Sequence, residues 1–250
     1  MQRDLDRRAF VGRTAAGLPL VGNRAVLWAQ SDASTLPHLH GESGPDALER
    51  QTLLELARLY REMKLQGPRS ENLRAFAARV RTMAVYYQAT GRSDAVSRHV
   101  AALVDEHGRD IVIATAMDLQ RLQQTLQTYG IEPVSTDVDR FIDPPFAARS
   151  ATLDTILTGG VASLFEQGAM ALERAATSID MHMAAIRPIR VAQVDDSWCA
   201  AIVTQISSHS YASTLFCSIA IATPEFEGEC NVAWLATIYM IAISLVAGCI

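Results

Sequence analysis

The sequence predicts an all-α protein, built as an antiparallel helical bundle that is followed by a C-terminal helical hairpin. Apolar residues recur three and four positions apart over most of the chain, and short loops holding Gly or Pro separate the periodic segments. The alternating pattern of a strand is nearly absent. Of the 250 residues, 49% are hydrophobic and 20% are charged, so the chain can bury a core and is not disordered.

The beginning of the chain has the pattern of a targeting segment. Arg7 and Arg8 precede Phe10, and a weakly apolar stretch then ends in small residues near Ala29 and Ala33. This segment resembles the twin-arginine export signal of bacteria, in which two arginines, a variable residue, Phe and an apolar residue follow one another. The resemblance implies a signal at 1–33 that the export machinery recognises, and a mature protein in the periplasm or outside the cell. The alternative is an ordinary first helix with a basic end.

The helical bundle is predicted at 45–187, and it opens with three amphipathic helices. The first begins at Pro45 and is stopped by Gly67 and Pro68. The second ends at Gly91, and the third opens at Ser93, a good N-cap residue, and ends at Gly108. Their apolar stripes run, in order, through Leu53, Leu56, Tyr60 and Met63; Leu73, Phe76, Val80, Met83 and Tyr87; and Val96, Val100 and Leu103.

Two further helices complete the predicted bundle. One runs over 110–129, and the other resumes near Ser150 and extends to 186, with a break at Gly159 and Gly160. Prolines make 131–145 a connection, with at most a short helix over 137–142, and 187–196 is predicted to be a linker. The stripe after the break consists of Leu164, Gly168, Leu172, Ala175, Ile179 and Met183.

All four cysteines fall in the hairpin predicted at 197–250. Its two apolar helical segments run over 197–222 and 229–250, and the turn lies between them. Each segment carries two cysteines about five helical turns apart, so that both lie on one face. The pairs Cys199–Cys249 and Cys217–Cys230 are centred on the same point of the chain to within one residue, as facing residues of an antiparallel hairpin must be. The spacing therefore predicts two nested disulfides, with buried free thiols or a four-thiolate zinc site as the alternatives.

The sequence of the hairpin is compatible with a soluble protein and with a membrane. Residues 231–250 carry no charge and are long enough to span a bilayer, so a membrane anchor is a rival to a soluble, disulfide-bridged hairpin. No Lys or Arg follows the apolar stretch, although a tail that ends in the cytoplasm usually carries some. This observation favours the soluble hairpin.

The sequence predicts no catalytic residue, cofactor or metal site. The net charge of −5 argues against a general nucleic-acid binder, and nucleophile, zinc and phosphate-loop motifs are absent from the sequence. Three histidine-containing groups are more typical of ordinary surface or core positions than of metal ligands: His38 and His40 with Glu42, Met181 to Met183 with His182, and His99 with His107.

The expected function is that of a structural or interaction module of the cell envelope, with a protein partner or the membrane contacted through the hairpin. A membrane-associated protein anchored by the hairpin is one alternative. An enzyme or metal protein whose site residues come together only in the folded chain is the other.

Overall fold

The computed structural model describes residues 47–116, 119–131, 143–184 and 196–250. In these ranges the chain has eight α-helices, one short 3-10 helix and no strand, so the all-α class is confirmed. The predicted signal at 1–33, with Arg7, Arg8 and Phe10, lies outside the described residues, as do the segments 132–142 and 185–195. The helices are α1 (Ala47–Gln66), α2 (Ser70–Ala89), α3 (Arg92–His107), α4 (Arg109–Ile113), α5 (Leu119–Thr128), α6 (Phe146–Ala184), α7 (Asp196–Ala222) and α8 (Glu227–Ala247), and the 3-10 helix is Pro224–Phe226.

The first three helices end close to the predicted glycines. Gly67, Gly91 and Gly108 all adopt positive φ, which glycine accepts without the steric cost of a Cβ atom. One detail of the prediction is wrong: Ser93 is not the N-cap of α3, because the helix already begins at Arg92 and Gly91 occupies the cap position. The hydroxyl of Ser93 is used by another helix.

Helix α6 breaks at Gly160, and two serines of α3 satisfy the backbone groups at the break. Gly160 has φ 70° and ψ 179°, so the regular hydrogen-bond ladder is interrupted there. The Ala162 N–H donates to Ser93 Oγ at 3.2 Å, and Ser97 Oγ donates to the Ile156 carbonyl at 2.8 Å. Because buried backbone groups need partners, α3 and the break in α6 depend on each other.

The single helix predicted over 110–129 is wrong. The structure divides it into α4 and α5, and Met117 and Asp118 between them lie outside the described residues. Side chains from distant helices occupy the last carbonyls of α4: Tyr211 donates to the Val112 carbonyl at 3.1 Å, and Arg149 to that of Ile113 at 3.4 Å. These contacts satisfy backbone acceptors where the helix ends, and the local apolar period carries no sign of them.

Helices α2 and α6 pack antiparallel, because Arg74 near the start of α2 pairs with Asp180 near the end of α6 and Arg81 pairs with Glu166 and Glu173 before it. All five stripe residues of α2 are 0% exposed, as predicted. Arg81 bonds the carboxylates of both Glu166 and Glu173, and Arg74 pairs with Asp180 near the other end of α2. The apolar face thus provides the contact between these helices, and the charged residues border it.

The hairpin of α7 and α8 lies inside the bundle. Every residue of 209–217 and of 228–241 is buried, and the core residues of both helices belong to one hydrophobic cluster with those of α1 to α6. Helix α7 packs on α6, and α8 packs on α1. The segment Pro224–Ala247 is long and apolar enough to cross a membrane, and its most apolar 18-residue window has a mean hydropathy of 1.9, yet 78% of that window is buried within the protein.

Candidate functional site

The hairpin is closed by two disulfides, and they join the pairs that the cysteine spacing predicts. Cys199 is bonded to Cys249 with Cα atoms 5.4 Å apart, and Cys217 to Cys230 with Cα atoms 4.8 Å apart. Both separations lie in the usual range for bridged cysteines. The inner pair is buried and the outer pair is half-buried. The bridges hold α7 and α8 together at both ends.

Of the three histidine groups singled out from the sequence, the structure describes the side chains of His99, His107 and Met181. His38, His40 and Glu42 lie outside the described residues, and the side chains of His182 and Met183 are not described either. His99 packs edge-on against Phe226, with ring centroids 6.1 Å apart. Across the described ranges, no group of three or more His, Cys, Asp or Glu side chains is placed to hold a metal ion.

Three buried polar side chains and one partly buried arginine meet where α1, α3 and α8 begin and α2 ends. We call this group, Glu49, Tyr87, Arg92 and Glu229, the buried ion cluster. Glu49 and Glu229 lie in the first turns of α1 and α8, and Arg92 is the first residue of α3. Glu49, Tyr87 and Glu229 are 0% exposed, and the side chain of Arg92 is 20% exposed. Charged groups are rarely buried to this extent unless they are paired.

The guanidinium group of Arg92 lies at the centre of the buried ion cluster. Its Nη1 atom is 3.2 Å from both carboxylate oxygens of Glu49, and its Nη2 atom donates to Glu229 Oε2 at 2.5 Å. Nη2 also donates to the backbone carbonyl of Glu225 in the 3-10 helix. Tyr87 donates to Glu49 Oε1 at 2.5 Å, and its ring centroid lies 4.8 Å from Arg92 Cζ, within cation–π range.

Burial dominates the electrostatics of this cluster. It raises the pKa of Glu229 to about 7, although the nearby charge of Arg92 opposes the shift. Burial, followed by the carboxylates of Glu229 and Glu49, raises the pKa of Tyr87 well above its ordinary value. For Arg92, burial lowers the pKa, but the two carboxylates more than offset this and keep the guanidinium charged.

Gly228 provides the space for the carboxylate of Glu49. A Cβ atom at position 228 would lie 1.5 Å from Glu49 Oε1 and 2.8 Å from the Tyr87 hydroxyl. Position 228 therefore requires glycine for close approach, not for an unusual φ angle. The sequence does not predict this cluster, because each charged residue, taken alone, is ordinary at a helix end. The one signal that the sequence offers is Glu229, a carboxylate directly before Cys230 and the apolar stretch of α8.

A second buried titratable group, His209, lies between α7 and α6. It is 0% exposed, its Nδ1–H donates to the Gln205 carbonyl at 3.0 Å, and its ring stacks near Phe165 with centroids 6.0 Å apart. A Cβ atom at Gly168 would lie 2.6 Å from His209 Cε1, so this glycine makes room for the ring. Burial lowers the pKa of His209 to about 4.

His209 is expected to make the protein sensitive to acid. Its pKa falls from 6.5 to about 4 on folding, so the unfolded chain binds more protons between these values and stability decreases as pH falls through this window. The shift corresponds to about 3 kcal/mol. The free energy of unfolding, measured in urea, should therefore fall by about 3 kcal/mol less for His209→Gln than for the parent between pH 7 and pH 4. A His209→Gln variant that loses stability between pH 7 and pH 4 as steeply as the parent would contradict the assignment.

The two disulfides and the buried ion cluster act on the same part of the molecule, the α7–α8 hairpin. The disulfides close the hairpin on itself, and the buried ion cluster attaches its turn and the start of α8 to α1, α2 and α3. Charge-assisted hydrogen bonds of this kind position backbone elements and can hold a proton. In comparisons with protein-family models, curated proteins and solved structures, no match to this chain was found.

Proposed function

We propose that this chain is an exported helical protein of the cell envelope that acts as a structural or interaction module. The observation that carries the proposal is the pair of nested disulfides across the hairpin. Disulfides form and persist in oxidising compartments outside the cytoplasm. The resemblance of Arg7, Arg8 and Phe10 to a twin-arginine signal supports the same compartment.

In this proposal the hairpin is the core of a soluble protein and not a membrane anchor. Helix α8 stacks Tyr239 on Phe76 of α2, with ring centroids 3.7 Å apart, and binds Arg92 of α3 through Glu229. Insertion of α8 into lipid would separate these pairs and would leave the stripe of α2 without its partner. The high hydropathy of α8 follows from burial on all sides, which a core helix shares with a membrane span.

The membrane-associated alternative rests on the length and hydropathy of the same helix. Washing the envelope fraction with alkaline carbonate separates the two functions, because it releases soluble and peripheral proteins and leaves inserted helices in the membrane pellet. Release of the mature protein is expected. Retention in the pellet would favour the anchor.

Export is tested by replacing both Arg7 and Arg8 with Lys, which keeps the charge of the segment. The variant should accumulate as precursor in the cytoplasm, whereas the parent should reach the periplasm without Met1. Replacement of both Arg3 and Arg13 with Lys is the matched control and should leave export intact. Periplasmic protein that retains Met1, or export that is unaffected by the Arg7 and Arg8 changes, would contradict a cleaved twin-arginine signal.

A non-reduced peptide map of the exported protein tests the bridges. It should contain the Cys199–Cys249 and Cys217–Cys230 peptides, and mild reduction should open the half-buried outer bridge before the buried inner one. A Cys199–Cys217 peptide, or four free thiols in exported protein, would contradict the proposal.

A further inference from the structure

The buried ion cluster contains two carboxylates and one guanidinium. If Glu49 and Glu229 were both ionised, the cluster would hold one negative charge in excess at a site where three of its four members are 0% exposed. An uncompensated buried charge is costly, and proteins usually remove it by binding a proton. Glu229 Oε1 is buried and has no hydrogen-bond partner in the described part of the chain, so it is available to carry that proton.

In the described part of the chain, the cation placed against Glu229 is Arg92 of α3. Glu49 of α1 and Tyr87 of α2 contribute a carboxylate and a hydroxyl. The 3-10 helix contributes the Glu225 carbonyl, which takes up part of the donor capacity of Arg92. Helix α7 faces this region through the disulfide of Cys217, which does not titrate. Further along the same end of the bundle, Tyr129, which follows α5, accepts a hydrogen bond from Asn231 and is near Glu227 and Arg50.

We propose that the buried ion cluster is a proton-binding site, that Glu229 holds the proton, and that its release loosens the attachment of the 3-10 helix and the start of α8 to α3. In the protonated state Arg92 balances Glu49, and Glu229 is neutral. On release, two carboxylates compete for one guanidinium. The backbone bond from Arg92 to Glu225 then has to compete with stronger charged acceptors.

The direction of the pH effect follows from the two states of Glu229. Its pKa is about 7 in the folded protein and 4.5 as an isolated side chain, so between these values the folded protein keeps a proton that the unfolded chain has released. The stabilisation of the folded protein by the proton on Glu229 is complete at acid pH and is lost as pH rises through about 7. This is opposite in direction to the effect of His209.

Infrared spectroscopy of the intact protein tests the proposal, because a protonated carboxyl group has a carbonyl stretching band that a carboxylate lacks. The parent should show one such band at pH 6 that disappears with a midpoint near 7. Glu229→Gln should remove the band, and Glu49→Gln should shift its midpoint to lower pH, because the excess negative charge is gone. Hydrogen exchange of the amides of 225–229, corrected for intrinsic rates, should accelerate above the midpoint in the parent and not in Glu229→Gln.

Glu173→Gln is the matched control, because Arg81 also bonds two carboxylates, Glu166 and Glu173, but in a half-exposed setting. It should leave the band unchanged. A parent spectrum without the band at pH 6 would overturn the proposal, even if no variant folds. A band that persists in Glu229→Gln, or a midpoint that Glu49→Gln does not lower, would also overturn it.

Discussion

Val80→Asp is expected to abolish the cooperative unfolding transition or to lower the free energy of unfolding by about 4 kcal/mol or more, as an unpaired buried charge does. Val80 is 0% exposed and lies in the middle of the α2 stripe. One turn before it, Phe76 stacks on Tyr239 of α8, and two turns after it, Tyr87 packs near Phe165 of α6. A carboxylate at this position would lie among the apolar core residues between α2, α6 and α8, with no cation in the α2 stripe to pair with.

Helix α2 offers a matched control for this substitution. Val85 is 63% exposed, and Val85→Asp places the same charge on the solvent side of the same helix. It should change the unfolding free energy by no more than about 0.5 kcal/mol, as surface substitutions usually do. The measurement is urea unfolding followed by circular dichroism. Equal effects of the two substitutions, or a Val80→Asp protein that unfolds like the parent, would contradict the packing of α2 between α6 and α8.

Gly228→Ala is expected to destabilise the protein by roughly 3–5 kcal/mol, the range seen when a buried ion pair is broken. Alanine normally stabilises a helix relative to glycine by about 1 kcal/mol, so the expected sign is reversed here. The reason is the carboxylate of Glu49, which the new methyl group would meet at 1.5 Å. Glu49 cannot move away without losing its bonds to Tyr87 and Arg92.

A double-mutant cycle separates this steric effect from a general weakness of α8. Glu49→Ala removes the group that the methyl would meet and leaves Arg92 paired with Glu229. Gly228→Ala should therefore cost much less in the Glu49→Ala background than in the parent, with a coupling energy of about 1–3 kcal/mol. Additive effects in the unfolding free energies would show that Gly228 is required for some other reason.

The part of the fold that the sequence predicts well depends on local geometry. A helix repeats every 3.6 residues, so the α2 stripe from Leu73 to Tyr87 could be assigned to one buried face before any neighbour was known. The disulfide pairs follow from the same geometry, because an antiparallel hairpin brings together residues that are equally distant from its turn. The break at Gly160 was also indicated locally, by two consecutive glycines.

The predictions that are wrong concern residues whose partners are distant in the chain. The helix predicted over 110–129 is divided at a point where Tyr211 and Arg149 bond the end of α4, and these residues lie far along the chain. Serine is a residue type preferred at N-caps, but the hydroxyl of Ser93 accepts a hydrogen bond from the Ala162 N–H in α6. Neither contact leaves a mark on the local pattern of apolar residues.

The sequence by itself determined the helical class and the buried face of α2, and it predicted the cysteine pairing that the structure shows, because helical periodicity and hairpin symmetry require no knowledge of distant neighbours. Only the tertiary structure decided that the apolar hairpin lies inside the bundle, and that Glu49, Arg92 and Glu229 share one buried site. The physical reason is that burial and charge pairing depend on which helix ends meet. A carboxylate in the first turn interacts favourably with the helix dipole in any sequence. Only its neighbours in the folded protein determine whether it also has to bind a proton.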